Sequence, residues 1–222
     1  MFKPSPHFIM IRTAFLACCV AASVVAEPVR FTSFAYSGND EIFASPISEY
    51  EYRNPILAGY YPDPSICRVG DDYYLTNSTF AHFPGLPIFH SKDMVNWAQI
   101  GNAIDRPDQL PYDGVGISRA LFAPAISHHD GVFYLVCTMI DAGGNFLLTA
   151  EDPAGPWSDP LWLDFDGIDP SLYFDESTGR AWMLNNGPPP NNAPLYDGHR
   201  AVWIQEWDID ERELIGPRKI II

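Results

Sequence analysis

Asp63-Pro64-Ser65-Ile66 returns twice in altered form, as Ala123-Pro124-Ala125-Ile126 and as Asp169-Pro170-Ser171-Leu172. Each tetrapeptide opens a segment of the same design. The first segment turns at Gly70-Asp71-Asp72, continues through Tyr73-Tyr74-Leu75 and Pro87-Ile88-Phe89-His90, and closes with Trp97-Ala98-Gln99-Ile100. The second turns at Asp130-Gly131 and runs through residues 132–135, 146–149 and Leu161-Trp162-Leu163. The third turns at residues 176–179 and runs through 181–184, 202–205 and Lys219-Ile220-Ile221. Aromatic and β-branched residues fill the runs, and Gly, Asp and Ser fill the turns, as in short antiparallel strands. Four-stranded units that restart from a common opening at this spacing are the mark of a β-propeller, with one sheet per blade around a central channel. The sequence therefore predicts an all-β chain carrying about three four-stranded blades.

Composition narrows the function classes. The 21 prolines and 16 glycines interrupt long helices almost everywhere, which argues against a helical bundle or coiled coil. A net charge of −15 repels phosphate backbones and anionic membrane surfaces, so the expected partner is a neutral ligand, with no nucleic acid and no membrane. Residues 1–26 have the form of a secretory signal peptide: Lys3 and Arg12 precede an apolar run from Ala14 to Val25, and Val24-Val25-Ala26 offers a small-residue cleavage site. That run is short of the ~20 residues a membrane span needs. Secreted or periplasmic localisation is expected, with lipid anchoring at Cys18 or Cys19 as the lesser alternative. Residues 27–53 lack periodicity and form an N-terminal arm ahead of a domain at 54–222. Cys67 and Cys137 match no metal or disulfide spacing and are expected to be buried thiols.

The proline is common to all three openings, whereas the residue before it is Asp63, Ala123 or Asp169. Proline suits a strand start and favours an extended conformation in its predecessor. Ala123 shows that the repeat does not require a carboxylate there. If the first strands are innermost, Asp63 and Asp169 face one funnel and shift each other's protonation, as acid–base cleavage of a glycosidic bond requires. The competing role for each is to accept backbone N–H groups in its own turn. Tyr60, Tyr61, Phe80, Phe83 and Phe122 flank the openings or the strand ends that follow, where rings either fill the core or meet the apolar face of a sugar. The histidines have no metal-ligand spacing, and no phosphate loop, serine elbow or Cys/His dyad is present.

Together with Asn54-Pro55-Ile56-Leu57, Ser78-Thr79-Phe80, Phe83-Pro84-Gly85, Gly143-Gly144-Asn145-Phe146 and Asp152-Pro153-Ala154-Gly155-Pro156-Trp157, these motifs make residues 54–222 resemble glycoside hydrolase family 43. That group of β-xylosidases and α-L-arabinofuranosidases is built on a five-bladed β-propeller. The resemblance implies inverting hydrolysis of β-1,4-xylosidic bonds in xylan-derived oligosaccharides. Asp63 would be the general base, Asp169 would tune the pKa of the acid and orient it, and Phe80, Phe122 and Tyr61 would bind substrate. Inversion needs base and acid carboxyls roughly 6.5–9.5 Å apart, to admit a water. The family's acid is a Glu in a Glu-Gly-Pro motif at the fourth blade, and residues 1–222 contain no such motif. The expectation is thus a fragment holding blades 1–3, inactive without its acid. Phe122 stands where the family commonly has Trp, and Ala125 where an Asp often follows the proline. No cofactor or metal site is expected here, because the cation of the family's channel is held by a His of a later blade. α-L-Arabinofuranosidase activity on an arabino-oligosaccharide, or a non-catalytic carbohydrate-binding remnant, are the alternatives.

Overall fold

Each sequence repeat closes into its own antiparallel sheet in the computed structural model, which describes residues 47–221. The expected signal peptide at 1–26 and most of the expected arm at 27–53 lie outside the described residues. The first sheet runs in order through β1 (Ser65–Val69), β2 (Asp72–Thr76), β3 (Gly85–Ser91) and β4 (Ala98–Ile104). The second contains β5 (Ala120–Leu121), β6 (Ala125–His129), β7 (Val132–Ile140), β8 (Gly144–Ala150) and β9 (Leu161–Leu163). The third is β10 (Ile168–Asp175), β11 (Arg180–Gly187), β12 (Ala201–Asp208) and β13 (Glu213–Ile220). These are three blades of the five-bladed propeller architecture.

Local chemistry explains the hairpins. His129 pairs with Val132 across Asp130-Gly131, and both turn residues have positive φ (52° and 79°), as a two-residue turn matched to strand twist demands. Two features depart from the sequence pattern. The strand β5 is additional: it pairs with the far end of β7, so that β5 and β6 run along one edge of β7 with Phe122, Ala123 and Pro124 between them. The last strand starts at Glu213, six residues before the expected Lys219, and it pairs with β12 on both sides of a bulge, where the step from Ile204 to Glu206 faces the longer step from Ile215 to Lys219.

The first strands of the blades are the inner ones, since β6 packs beside β1 on one side and β10 on the other. The Ile126 N–H donates to Ser65 Oγ across the first of these seams at 3.0 Å. Two apolar layers join the blades. Leu135, Cys137 and Met139 of β7 face a cluster with Leu86, Ile88 and Ile104, while Tyr134 and Val136 face Leu172, Met183 and Trp207. Alternate residues of one strand thus fill opposite seams, which is why β7 is apolar almost throughout. Truncating a side chain such as Leu135, fully buried, would cost about 2–5 kcal/mol.

Candidate active site

The two aspartates occupy the same unusual backbone geometry. Asp63 has φ of 52° and Asp169 of 54°, in the left-handed region, whereas Ala123 at the equivalent opening is not among the positive-φ residues. This corrects the expectation that the proline holds its predecessor extended. Left-handed backbone at a non-glycine residue costs of order 1–3 kcal/mol and persists where surrounding contacts over-determine it.

Those contacts are visible at both openings. Asn77, buried just beyond β2, donates from Nδ2 to the carbonyls of Tyr61 (3.0 Å) and Pro62 (3.3 Å). The next residue, Ser78, donates its N–H to the Pro62 carbonyl at 3.1 Å and its hydroxyl to the Asp63 carboxylate. At the third blade, Asn185 Nδ2 donates to the Asp166 carbonyl (2.8 Å), and the Asp169 N–H donates to Thr138 Oγ1 of the neighbouring blade (3.2 Å). Asn145 grips the same approach through the carbonyls of Phe165 (3.0 Å) and Gly167 (3.1 Å). Only glycine fits at 167: φ is 109°, and a Cβ would meet the Asn186 carbonyl oxygen at 2.3 Å.

Strand register makes Asn77, Cys137 and Asn185 equivalent, because they follow Thr76, Val136 and Leu184, the partners of Ser65, Ala125 and Ser171. All three clasp the backbone that leads into their own blade. In the second blade the clasp is a thiol, with Cys137 Sγ donating to the Phe122 carbonyl at 3.3 Å. Burial pushes the Cys137 thiol well above its ordinary pKa, consistent with an inert buried group. Cys67 is half-buried, with its thiol pushed up to about 12 by burial.

Asp169 also senses Asp63. The Asp169 carboxyl is raised above its ordinary value, first by desolvation and next by the negative charge of Asp63, while the Arg200 guanidinium opposes the rise. Asp169 keeps solvent contact, so its desolvation is partial: protein displaces water from part of its surroundings without sealing it off. Arg200 is fixed by two bonds to Asn186, from Nε to the side-chain oxygen (2.9 Å) and from Nη2 to the backbone carbonyl (3.0 Å). Asn186 is the β11 partner of Ile168, next to Asp169. Arg200 lies 31 residues beyond Asp169, immediately before β12, and no sequence motif marks it.

Phe80 and Phe122 meet edge to face, with centroids 5.6 Å apart, where a small bridge joins their chains: the Phe80 N–H donates to the Leu121 carbonyl at 2.9 Å, and the Leu121 N–H returns a bond at 3.3 Å. Tyr60 joins them at 6.2 Å from Phe80. Tyr61 does not: its ring stands edge-on against the core residue Phe89 at 5.4 Å. Phe83 packs on Tyr112. Arg119 lies over the Phe122 ring (5.7 Å) and is held by an ion pair to Asp141, a pair that no sequence motif announced.

Several other titratable groups are engaged away from this site. His90 and Lys92 bind Asp72, His129 stacks on Phe174, and Glu206 is paired with Arg180. Glu206 lies level with Trp182 and Tyr173, toward the opposite end of the third sheet from Asp169. Among the described residues no group of three or more His, Cys, Asp or Glu could hold a metal ion.

Fold and site together define a propeller protein with two aspartates at equivalent blade openings and an aromatic patch at one end of its inner strands. The model for glycosyl hydrolases family 43 matches residues 52–222, and the chain belongs to that family. A xylosidase/arabinosidase of Butyrivibrio fibrisolvens is 51% identical over 172 residues, covering 76% of this chain and 33% of the relative. The non-reducing end α-L-arabinofuranosidase BoGH43B of Bacteroides ovatus is 49% identical over 143 residues, covering 63% of this chain and 27% of the relative. Among solved structures, a GH43_12 protein retrieved from a capybara gut metagenome superposes with a TM-score of 0.77 at 48% identity, covering 83% of this chain and 35% of that one. The xylan β-1,4-xylosidase of Bacillus halodurans C-125 gives 0.71 at 40% identity, covering 77% and 34%. The chain thus spans about a third of the length of these relatives.

Proposed function

We propose that the protein is an inverting glycoside hydrolase acting on β-1,4-xylosidic bonds at the ends of xylan-derived oligosaccharides. The carrying observation is the pair of left-handed aspartates at equivalent blade openings, with Asp63 raising the proton affinity of Asp169. In this reading Asp63 takes a proton from water as it attacks the anomeric carbon. The bond from the Ser78 hydroxyl fixes the carboxylate for that role. Asp169 supplies the negative field that holds a third carboxyl protonated and correctly turned. That third group, the acid for the leaving oxygen, has no matching motif in residues 1–222. Phe80 and Phe122, with Tyr60 as the neighbouring ring, receive the apolar face of the sugar; Tyr61 supports the site by packing against Phe89.

Release of xylose from xylobiose by the complete gene product, with the α-anomer as the first product seen by proton NMR, tests the reading. Initial formation of the β-anomer, or full activity in Asp63→Asn, would overturn it. A second activity is favoured by a specific finding, the 49% identity to an α-L-arabinofuranosidase; comparison of aryl β-xyloside with aryl α-arabinofuranoside separates the two. The signal-like residues 1–26 suit export, where such oligosaccharides are met; processing at Ala26, read by N-terminal sequencing of secreted protein, tests this.

A further inference from the structure

The connections that follow the second strand of each blade differ sharply. In the second blade it is a tight turn after Ile140; in the first it is the segment 77–84 that carries Phe80; in the third it is the thirteen-residue loop 188–200 between β11 and β12. Gly187 and Ala201 pair at the loop's base, beside the Asn186–Ile168 pair, so the loop rises from the end of the third sheet that bears Asp169. Its fold is well determined. The Trp203 indole N–H donates to the Pro188 carbonyl (2.8 Å), the Asn192 N–H to the Pro189 carbonyl (2.9 Å), and the Leu195 N–H to His199 Nδ1 (3.1 Å). Despite this order, the loop leaves Tyr196 64% exposed, with its ring lying over that of His199 at 4.7 Å. The loop surrounds a concavity of about 290 Å³ whose wall includes Tyr196, Asn192 and Arg200, the same arginine that acts on Asp169.

An exposed ring backed by a second ring, with amide and guanidinium donors around one hollow, is the combination that a pyranose chain uses: an apolar face to stack and hydroxyls to hydrogen-bond. We propose that the loop 188–200 forms a subsite for the leaving-group side of the substrate, in which Tyr196 stacks on a sugar beyond the scissile bond and Arg200 and Asn192 bind its hydroxyls. This rests on the glycosidase reading above and adds to it a preference for oligosaccharides over simple glycosides, located in the third blade.

The test compares xylotriose with methyl β-xyloside, whose aglycone is too small to span the loop, using the complete gene product and its Tyr196→Ala and Tyr196→Phe variants. Tyr196→Ala should lower kcat/KM for xylotriose roughly three- to tenfold, mainly through KM, and lower it for methyl β-xyloside by clearly less. Tyr196→Phe, which keeps the ring, should restore most of the xylotriose efficiency. Equal losses on both substrates, or an unchanged xylotriose KM in Tyr196→Ala, would overturn the subsite. Absence of hydrolysis of either substrate by the unaltered protein would instead overturn the glycosidase reading beneath it.

Discussion

The openings of the first and third blades share a left-handed aspartate but hold it by different means. At Asp63 the restraint reaches the carboxylate itself, through the Ser78 hydroxyl. At Asp169 it stops at the backbone N–H, bound by Thr138 of the neighbouring blade, and among the described residues no hydrogen bond reaches the carboxylate. One acid is therefore aimed, while the other is left to respond to the charges around it. The second blade acts as an internal control. Its opening keeps the proline and the clasp, but Ala123 there is neither a carboxylate nor left-handed, so at these openings the unusual backbone accompanies the acid and is not a demand of the fold.

The contrast is broken most directly by removing each acid. Asp63→Asn should lower kcat/KM of the complete gene product about 1000-fold, the range for a lost general base, and Asp169→Asn by a smaller factor, about 100-fold. Equal losses would erase the proposed division of labour. Next in size is the clasp. Asn77→Ala strips donors from the Tyr61 and Pro62 carbonyls and should destabilise the fold by about 1–3 kcal/mol, read by denaturant unfolding. Cys137→Ala should cost less, about 1 kcal/mol, because a thiol is a weak donor. A larger loss at Cys137 would show that the clasp is independent of the acid it serves.

The smallest effects concern protonation. In Asp63→Asn the Asp169 pKa, followed by carboxyl NMR, should fall toward 3.8 yet remain above it, since desolvation is the larger cause; in Arg200→Gln it should rise further. The sign for stability follows. Folded Asp169 keeps its proton to higher pH than the unfolded chain does, so its contribution favours folding at low pH and is lost as pH rises from about 3.8 through the raised value. Asp63→Asn should narrow that window in thermal melts across the acid range. A window of unchanged width would mean that burial alone sets the shift.

Much of this was legible from local pattern. The Asp130-Gly131 turn, the proline-led openings and the strand runs are read directly, because a hairpin's twist and a strand's two-residue period are written in neighbouring residues. Phe80 and Phe122 were also identifiable by their nearness to the openings. Tyr60 and Tyr61 were not separable, since adjacent residues point to different sides and the outcome depends on Phe89, a residue of β3. The start of β13 at Glu213 has no local mark, because Gly216 and Pro217 interrupt the strand run and only pairing with β12 on both sides of that bulge carries the strand back.

By itself, the sequence determined the repeated four-stranded unit, the family and which blade openings carry a carboxylate, since each depends on short-range spacing around a common proline. Only the tertiary structure decided how those acids are held. Their left-handed backbone is maintained by donors from other strands, Asp169 is tuned by Asp63 and Arg200 from other blades and loops, and no order of neighbouring residues encodes a distance across the fold.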